Sequence, residues 1–343
     1  MKALVKTAPG VGNLEVKDVP EPTPASGQVL IEVAAGAICG TDLHIHDDEY
    51  PNSPPFVLGH EMSGVIVEIG AGVEGLAAGD RVSSETFKFT CGQCRFCRAG
   101  LIGLCVERQS MGVHVDGAFA RFVCQRQESV HKLPDNVDLE AGALCEPTAV
   151  AVRAVYERAS VNVDDVVLVS GPGPVGLLCV QAARARGAKV VLAGAPGDDA
   201  RLAMGESMGA DVIVQVAEAG AFAALAEMTN GMGADVAIEC GGSAGSLQQC
   251  IEQARKGAQV ALVGLYGRNV EVELDAAIIK EQTLLPSFTY GHGTWERTME
   301  LLAAAAIDPA PLVSGRYLLE TWEEAFALAR SRRGHKYLLL PTS

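Results

Sequence analysis

The sequence predicts a two-domain α/β protein, in which a β-rich unit precedes a doubly wound parallel sheet. At 343 residues the chain is long for one hydrophobic core, so two domains are expected. Before about residue 126, short runs of β-branched and aromatic residues are bounded by glycine, proline and aspartate, as strands are. After residue 147, continuous apolar runs alternate with helical stretches, which is the pattern of βαβ units.

The same patterns predict the individual elements. In the first unit the runs 28–34, 64–70 and 118–123 are predicted strands, and the loops between them carry the candidate metal ligands. The second unit has predicted strands at 165–170, 189–193, 212–214, 235–238 and 259–263. Its predicted helices are 148–159, 177–186, 201–208, 221–228 and 247–255. The mixed tail from about residue 286 has no further glycine-rich turn, so we expect it to return to the first unit.

Composition excludes several classes of function. Hydrophobic residues make up 48% of the chain and charged residues 20%, which favours packed cores over disorder. The net charge of −15 makes a nucleic acid or an anionic membrane an unexpected partner. No stretch approaches the roughly 20 apolar residues of a spanning helix, and the N-terminus shows no cleavage pattern. We therefore expect a soluble, cytoplasmic protein.

Three residues near the N-terminus offer the ligand types of an open zinc site. The segment 57–61 (VLGHE) contains His60 and Glu61, and Cys39 lies upstream of it. A thiolate, an imidazole and a carboxylate hold zinc while leaving a fourth position free, which distinguishes a catalytic site from a structural one. Taken singly, Cys39 is better explained as a small buried residue and His60 as a hydrogen-bonded loop histidine. Their combination with Glu61 favours the metal site.

A second group of potential ligands consists of four cysteines within fifteen positions, Cys91, Cys94, Cys97 and Cys105. In a chain without a secretory signal, such crowding indicates metal binding rather than disulfides. Four thiolates complete a tetrahedral shell with no position for substrate, so we predict a structural zinc that holds a long loop. An iron–sulfur cluster and redox-active dithiols are the alternatives.

A glycine-rich turn at 171–176 (GPGPVG) follows the strand 165–170 and opens a helix. In this context its backbone approaches a pyrophosphate that lies on the helix N-terminus, which predicts dinucleotide binding. The residues expected to contact the cofactor are Gly171, Gly173, Pro174, Val175 and Gly176 in the turn, and Val263, Gly264 and Leu265 at the end of the fifth strand and directly after it.

The tip of the second strand in this unit decides between NAD and NADP. The acidic residue expected there is replaced by Gly194, and Asp198 and Asp199 follow only after an Ala-Pro-Gly step. Gly194 together with Arg201 favours a 2′-phosphate, whereas two carboxylates in the same short loop oppose it. We predict NAD, with NADP as the alternative.

In this order, Cys39, the motif Gly-His-Glu-x-x-Gly at 59–64, the four cysteines and the turn 171–176 resemble the zinc-dependent medium-chain dehydrogenases. Glu146-Pro147, the segment 239–242 (ECGG) and the tail 312–320 are similar to the branch of sorbitol (polyol) and threonine dehydrogenases. The resemblance covers the whole chain. It implies a GroES-like β-rich catalytic domain at 1–147 and 287–343, a Rossmann NAD(P)-binding domain at 148–286, and a homodimer or homotetramer.

The resemblance also implies roles for single residues. Cys39, His60 and Glu61 match the catalytic-zinc ligands, and Glu146 is expected close enough to bind the ion directly or through water. Whether Glu61 or Glu146 is the third ligand stays open.

Two further residues, Thr41 and His44, match a relay that carries the alcohol proton towards the surface. The implied activity is hydride transfer between NAD(P) and a secondary alcohol of a polyol, sugar derivative or hydroxy amino acid, with zinc as the Lewis acid. The alternatives are an L-threonine 3-dehydrogenase and a non-enzymatic zinc-binding dinucleotide sensor. The polyol branch carries an Arg-Tyr pair before a Thr-Trp step, and the segment 290–293 (YGHG) stands there instead.

Overall fold

The structure is a computed structural model that describes residues 1–341. The chain forms two compact units, one made of residues 1–146 and the chain from Tyr290 onward, the other of Pro147–Thr289. No helix within the described residues combines the length and the apolar character needed to cross a membrane.

The N-terminal part of the first unit is mainly β-structure. Its strands are β1 (Lys2–Lys6), β2 (Leu14–Asp18), β3 (Gln28–Ala37), β4 (Phe56–Val57), β5 (Glu61–Ile69), β6 (Arg81–Ser84), β7 (Phe87–Phe89), β8 (Gln109–Ser110), β9 (Phe122–Arg126) and β10 (Val130–Lys132). Its short helices are α1 (Gly40–His46), α2 (Arg95–Arg98) and α3 (Leu139–Gly142).

Strands and helices alternate in the second unit. Helix α4 (Cys145–Val152) leads into it and continues as a π-helical turn at Arg153–Arg158. The strands are β11 (Val166–Ser170), β12 (Lys189–Gly194), β13 (Val212–Gln215), β14 (Ala234–Glu239), β15 (Ala254–Leu262) and β16 (Thr283–Pro286). The helices are α5 (Pro174–Ala185), α6 (Asp199–Ser207), α7 (Ala223–Met228), α8 (Ala244–Gln253) and α9 (Asp275–Ile279).

The chain then returns to the first unit. This last part contains α10 (His292–Ala303), β17 (Val313–Leu318), α11 (Trp322–Ser331) and β18 (Lys336–Leu340).

The main sheet of the first unit brings distant segments to one place. Its strand order is β10-β6-β5-β3-β18-β17, with β9 also paired to β3. Ala37, at the end of β3, lies opposite Glu61 of β5 and opposite Leu338 of β18. The start of β5 and the start of the C-terminal strand therefore lie on either side of the segment that leads to Cys39.

The second unit is a six-stranded parallel sheet with the order β13-β12-β11-β14-β15-β16. Every residue of β11 is buried, which explains why its sequence is continuously apolar rather than alternating. The order runs in one direction from β11 through β12 and in the other through β14. The carboxyl ends of β11 and β14 thus form the switch point at which open α/β sheets bind ligands.

The structure differs from the sequence prediction at several elements. The predicted strand 118–123 starts only at Phe122, because the backbone N–H groups of Gly117, Ala118 and Phe119 donate to the carbonyls of residues 57–59 instead. Helices α1 and α9 and strand β16 were not predicted. Glu61 is the first residue of β5 and does not lie in a loop between strands.

Candidate active site and metal centres

Three potential metal ligands meet where β3 and β5 lie side by side. Cys39 is the N-cap of α1, and His60 directly precedes β5. One donor atom from each of Cys39, His60 and Glu61 lies within 4.8 Å of the other two. Gly59 has a φ of +92°, and a Cβ there would lie 2.5 Å from the Phe119 ring, so only glycine lets the chain deliver His60 here.

Two buried charged residues support this group, and the sequence analysis did not identify either of them. Asp42 accepts a hydrogen bond from the Cys39 N–H at 2.8 Å, and its other oxygen lies 3.4 Å from His60 Nδ1. Lys336 Nζ lies 2.5 and 2.6 Å from the two Glu61 oxygens. The sequence held one clue to each residue. Asp42 is the third residue of α1, where a carboxylate can accept the N-cap N–H, and Lys336 is the one charged residue of the otherwise apolar strand β18.

The electrostatics of the group fit a bound cation. Burial alone lowers the pKa of His60, but Asp42 and Cys39 raise it well above its usual value. His60 Nδ1 and the Asp42 oxygen that lies 3.4 Å from it are both buried and have no hydrogen bond to any other described group. The sulfur, nitrogen and oxygen donors, at this spacing and with this preference for positive charge, fit a zinc ion with an open position.

Glu146 and Tyr290 lie beside the three donors. Burial raises the pKa of Glu146 to about 7, and the charge of Glu61 adds to this effect, whereas His60, Tyr290 and Lys336 oppose it. Tyr290 is 1% exposed, and its pKa is raised by burial and by Glu146. Glu146 does not belong to the set of donor atoms within 4.8 Å, so Glu61 is the carboxylate nearer to Cys39 and His60.

The two residues of the predicted relay lie on helix α1, which Cys39 caps. Thr41 Oγ1 is 3.7 Å from Cys39 Sγ. His44 Nδ1 is 2.7 Å from a Glu49 oxygen, and 30% of the His44 side chain is exposed. The helix therefore carries a hydroxyl at the metal-ligand group and an imidazole that reaches solvent.

The four cysteines of the loop form a second compact group. Their sulfur atoms all lie within 4.8 Å of one another, and all four are free thiols. The Cys91 and Cys105 sulfurs are 3.6 Å apart, far longer than a disulfide bond. The Cys97 N–H donates to Cys94 Sγ and lowers the pKa of Cys94 to about 6. Backbone donors to sulfur stabilise thiolates, so this group fits a closed four-thiolate zinc site.

The glycine-rich turn of the second unit has the geometry of a phosphate cradle. Gly171 has a φ of +105°, and a Cβ on Gly176 would lie 2.0 Å from the Gly171 carbonyl oxygen. Gly173 is the N-cap of α5, so no side chain caps this helix, and the space where a Cβ would be is open. Pro174 and Val175 begin the helix. The first N–H groups of α5 are thus available to a pyrophosphate.

The remaining predicted cofactor residues surround the tips of β12 and β15. Gly194 ends β12, Asp198 accepts from the Ala195 N–H at 3.1 Å, and an Asp199 oxygen is 3.1 Å from Gln215 Nε2. Asp198 is thereby held within the loop after β12, whereas Asp199, the first residue of α6, contacts the end of β13. Arg201 lies on α6 and is partly exposed. The residues after β15 are the partly buried Val263 and Gly264 and the exposed Leu265.

Comparison with known proteins agrees with this fold. Residues 25–135 match the alcohol dehydrogenase GroES-like domain, and residues 174–304 match the zinc-binding dehydrogenase domain. A sorbitol dehydrogenase of Halalkalibacterium halodurans is 39% identical over 99% of both chains. An L-threonine 3-dehydrogenase of Pyrococcus horikoshii is 35% identical over 99% of this chain and 98% of its own. A zinc-binding dehydrogenase from Sinorhizobium meliloti, solved with NADP, superimposes with a TM-score of 0.91 at 32% identity, over 99% of both chains.

The GroES-like unit, the parallel-sheet unit and the open donor site define a zinc-dependent alcohol oxidoreductase. The chain belongs to the zinc-dependent medium-chain dehydrogenases, in the branch of polyol and threonine dehydrogenases. It is an NAD(P)-dependent enzyme that acts on alcohol groups.

Proposed function

We propose that this enzyme oxidises a secondary alcohol of a polyol or sugar derivative, with zinc held by Cys39, His60 and Glu61 and with NAD as the hydride acceptor. The observation that carries the proposal is the set of three donor atoms within 4.8 Å of one another. When bound, zinc supplies Lewis acidity to the alcohol oxygen, and the nicotinamide takes up the hydride.

The residues of the chain provide the positioning and the proton path. Lys336 holds both oxygens of Glu61 and so fixes the orientation of that carboxylate. The Thr41 hydroxyl accepts the alcohol proton and passes it to His44, which exchanges it with water because its ring is partly exposed. The Glu49 carboxylate orients the His44 ring through Nδ1.

An uncharged, hydroxyl-rich substrate suits the charges beside the donors. The charged groups that act on Glu146 are His60, Glu61 and Lys336. Lys336 is already occupied by Glu61 and by the Ile38 carbonyl, so it is not available to a substrate carboxylate. Of the two side chains that act on Glu146 as cations, Lys336 is paired with Glu61 and His60 is a proposed zinc ligand, so neither is offered to the carboxylate of a hydroxy amino acid. The threonine dehydrogenase relatives nevertheless make L-threonine the second candidate substrate.

The remaining parts of the proposal concern zinc number, cofactor and assembly. We assign a second, structural zinc to the four cysteines of the loop. We assign residues 1–147 and 287–343 to the catalytic domain and residues 148–286 to the NAD(P)-binding domain. NAD is favoured because Asp198, at the end of the loop after β12, and Asp199, at the start of α6, place two carboxylates where a 2′-phosphate would have to bind. We also propose a homodimer or homotetramer, and a reducing compartment such as the cytoplasm because all ten cysteines are free thiols.

The test is a substrate screen with the zinc-loaded protein, in which the absorbance of the reduced nicotinamide measures hydride transfer. Substrates are sorbitol, xylitol, arabitol, galactitol, 2,3-butanediol and L-threonine, each with NAD and with NADP. We expect the highest kcat/KM for a polyol with NAD. A higher value for L-threonine replaces the substrate assignment. Absence of hydride transfer, with metal and dinucleotide both measurably bound, favours the non-enzymatic sensor.

A further inference from the structure

A buried carboxylate stands at the carboxyl end of the central strand β14. Glu239 is the last residue of that strand and is fully buried. One of its oxygens accepts from the Gly242 N–H at 2.8 Å, and the other is 3.0 Å from the Tyr266 hydroxyl. Burial raises the pKa of Tyr266, and the Glu239 carboxylate adds to this, so the tyrosine is a neutral donor. None of the ion pairs within residues 1–341 includes Glu239.

This carboxylate lies on the nicotinamide side of the predicted cofactor site. The turn after β11 holds the pyrophosphate, and the adenosine half runs towards β12, whose tip carries Gly194. The other half must therefore extend over β14, on the opposite side of β11. The turn rests directly on the residues after Glu239, since a Cβ on Gly171 would lie 2.6 Å from the Gly241 nitrogen.

The same residue also holds the loop after β15. The Glu239 carbonyl accepts from the N–H groups of Val263 at 2.9 Å and Gly264 at 3.0 Å. A Cβ on Gly264 would lie 2.8 Å from a Glu239 carboxylate oxygen. The carboxylate is thus enclosed by two loops at the ligand-binding edge of the sheet, and the two hydrogen bonds to its oxygens come from uncharged donors.

Oxidised and reduced dinucleotides differ at this end of the molecule by one unit of charge. The oxidised nicotinamide ring is a cation, whereas the reduced ring is neutral. A buried negative charge attracts only the cation, because interactions within a low-dielectric site are weakly screened. A purely structural role in holding the two loops affects both forms alike.

We propose that Glu239 sets the preference of the site for the redox state of the cofactor, by favouring the oxidised over the reduced dinucleotide through the charge of its carboxylate. The inference rests on the proposed dinucleotide function. It concerns relative affinity, so it adds to that function rather than repeating it.

The experiment measures dissociation constants by calorimetry and fluorescence titration. NAD+ and NADH are compared on the wild type and on Glu239→Gln, with NADP+ and NADPH in parallel. Glutamine keeps an acceptor for Gly242 and removes the charge. We expect the preference for the oxidised form to fall by roughly 2- to 15-fold. This range is calculated for one charge, with an assumed separation of about 10 Å and effective dielectric constants between about 80 and 20.

Tyr266→Phe is the matched control, because it removes one hydrogen bond and leaves the carboxylate. It should leave the ratio of the two affinities unchanged, as should Glu239→Asp. Tyr266→Lys places a cation at a partly exposed position beside the carboxylate and should shift the ratio as Glu239→Gln does, which keeps the test decisive if the glutamine variant does not fold.

Two results are distinguishable. If Glu239→Gln or Tyr266→Lys weakens both redox forms equally, or neither, the inference is wrong while the dinucleotide function stands. If the wild type binds none of the four dinucleotides, the proposed function itself fails.

Discussion

Replacing Lys336 by methionine tests the buried ion pair behind the metal ligands. Lys336 Nζ lies 2.5 and 2.6 Å from the Glu61 oxygens and 3.3 Å from the Ile38 carbonyl oxygen, so all three ammonium hydrogens have acceptors. Only 4% of the Lys336 side chain and none of the Glu61 side chain is exposed. Methionine preserves most of the volume but leaves the Glu61 carboxylate buried without its countercharge.

The expected magnitude follows from this burial. Removing one partner of a buried ion pair costs about 3–5 kcal/mol, because an uncompensated charge remains in the interior. For a unit of this size that corresponds to a fall in Tm of roughly 6–20 °C. Zinc bound at Cys39, His60 and Glu61 supplies a replacement countercharge. The Lys336→Met variant should therefore lose less stability with zinc in the open site than after its removal.

The assay is thermal unfolding of wild type and Lys336→Met, each before and after mild chelation that empties only the open site. Lys336→Arg, which keeps a cation, should stay close to the wild type in both states. Lys132→Met is the control for an exposed ion pair, in which Lys132 Nζ lies 2.9 Å from an Asp80 oxygen. It should cost at most about 1 kcal/mol. The reasoning is refuted if Lys336→Met destabilises the protein equally with and without zinc, or no more than Lys132→Met does.

Three further predictions concern the metal, the relay and pH. A mild chelator should abolish activity before it lowers the Tm, because the open site exchanges metal faster than the closed four-thiolate site. If activity and thermal stability are lost together when a single ion is removed, the assignment of two zinc sites is wrong. Thr41→Ala should lower kcat by roughly 10²-fold with zinc content unchanged, and an unaltered turnover at every pH argues against the relay. Glu85, 2.7 Å from His292, raises the pKa of His292, so the stabilisation from this pair is complete below the ordinary histidine pKa of about 6.5 and is lost as pH rises through the raised value. His292→Asn should lower the free energy of unfolding by more at pH 6 than at pH 9. The difference should be at most about 1 kcal/mol because the ring is 42% exposed, and an equal effect at both pH values rules out the ionic contribution.

The parallel sheet could be predicted closely from the sequence because its central strands, β11 and β14, are buried on both faces. The apolar run 165–170 became β11 (Val166–Ser170), which starts only one residue later. Short elements escaped prediction for the opposite reason. Helix α1 has seven residues of which only Asp42 and Ile45 are buried, so it presents no apolar stripe, and β16 has only four residues.

Prediction of the site depended on how far apart its parts lie along the chain. His60 and Glu61 are adjacent, and the cysteines of the loop follow at two-residue gaps, so ligand chemistry and spacing were both visible in the sequence. Asp42 could also have been found locally, because it is the third helical residue after Cys39 and accepts its backbone N–H.

Lys336, the partner of Glu61, could not be found locally, because it lies 275 residues further along the chain. No motif near Lys336 in the sequence indicates a metal site, and any of the 27 lysines and arginines of the chain could have been the partner of Glu61. The pairing exists only because β18 adds to the sheet beside β3, whose last residue, Ala37, also faces Glu61. Sequence motifs therefore predicted the donor residues, whereas strand order determines the countercharge that orients Glu61. Where a buried charge lies within such a site, the topology of the sheet is what shows how its burial is compensated.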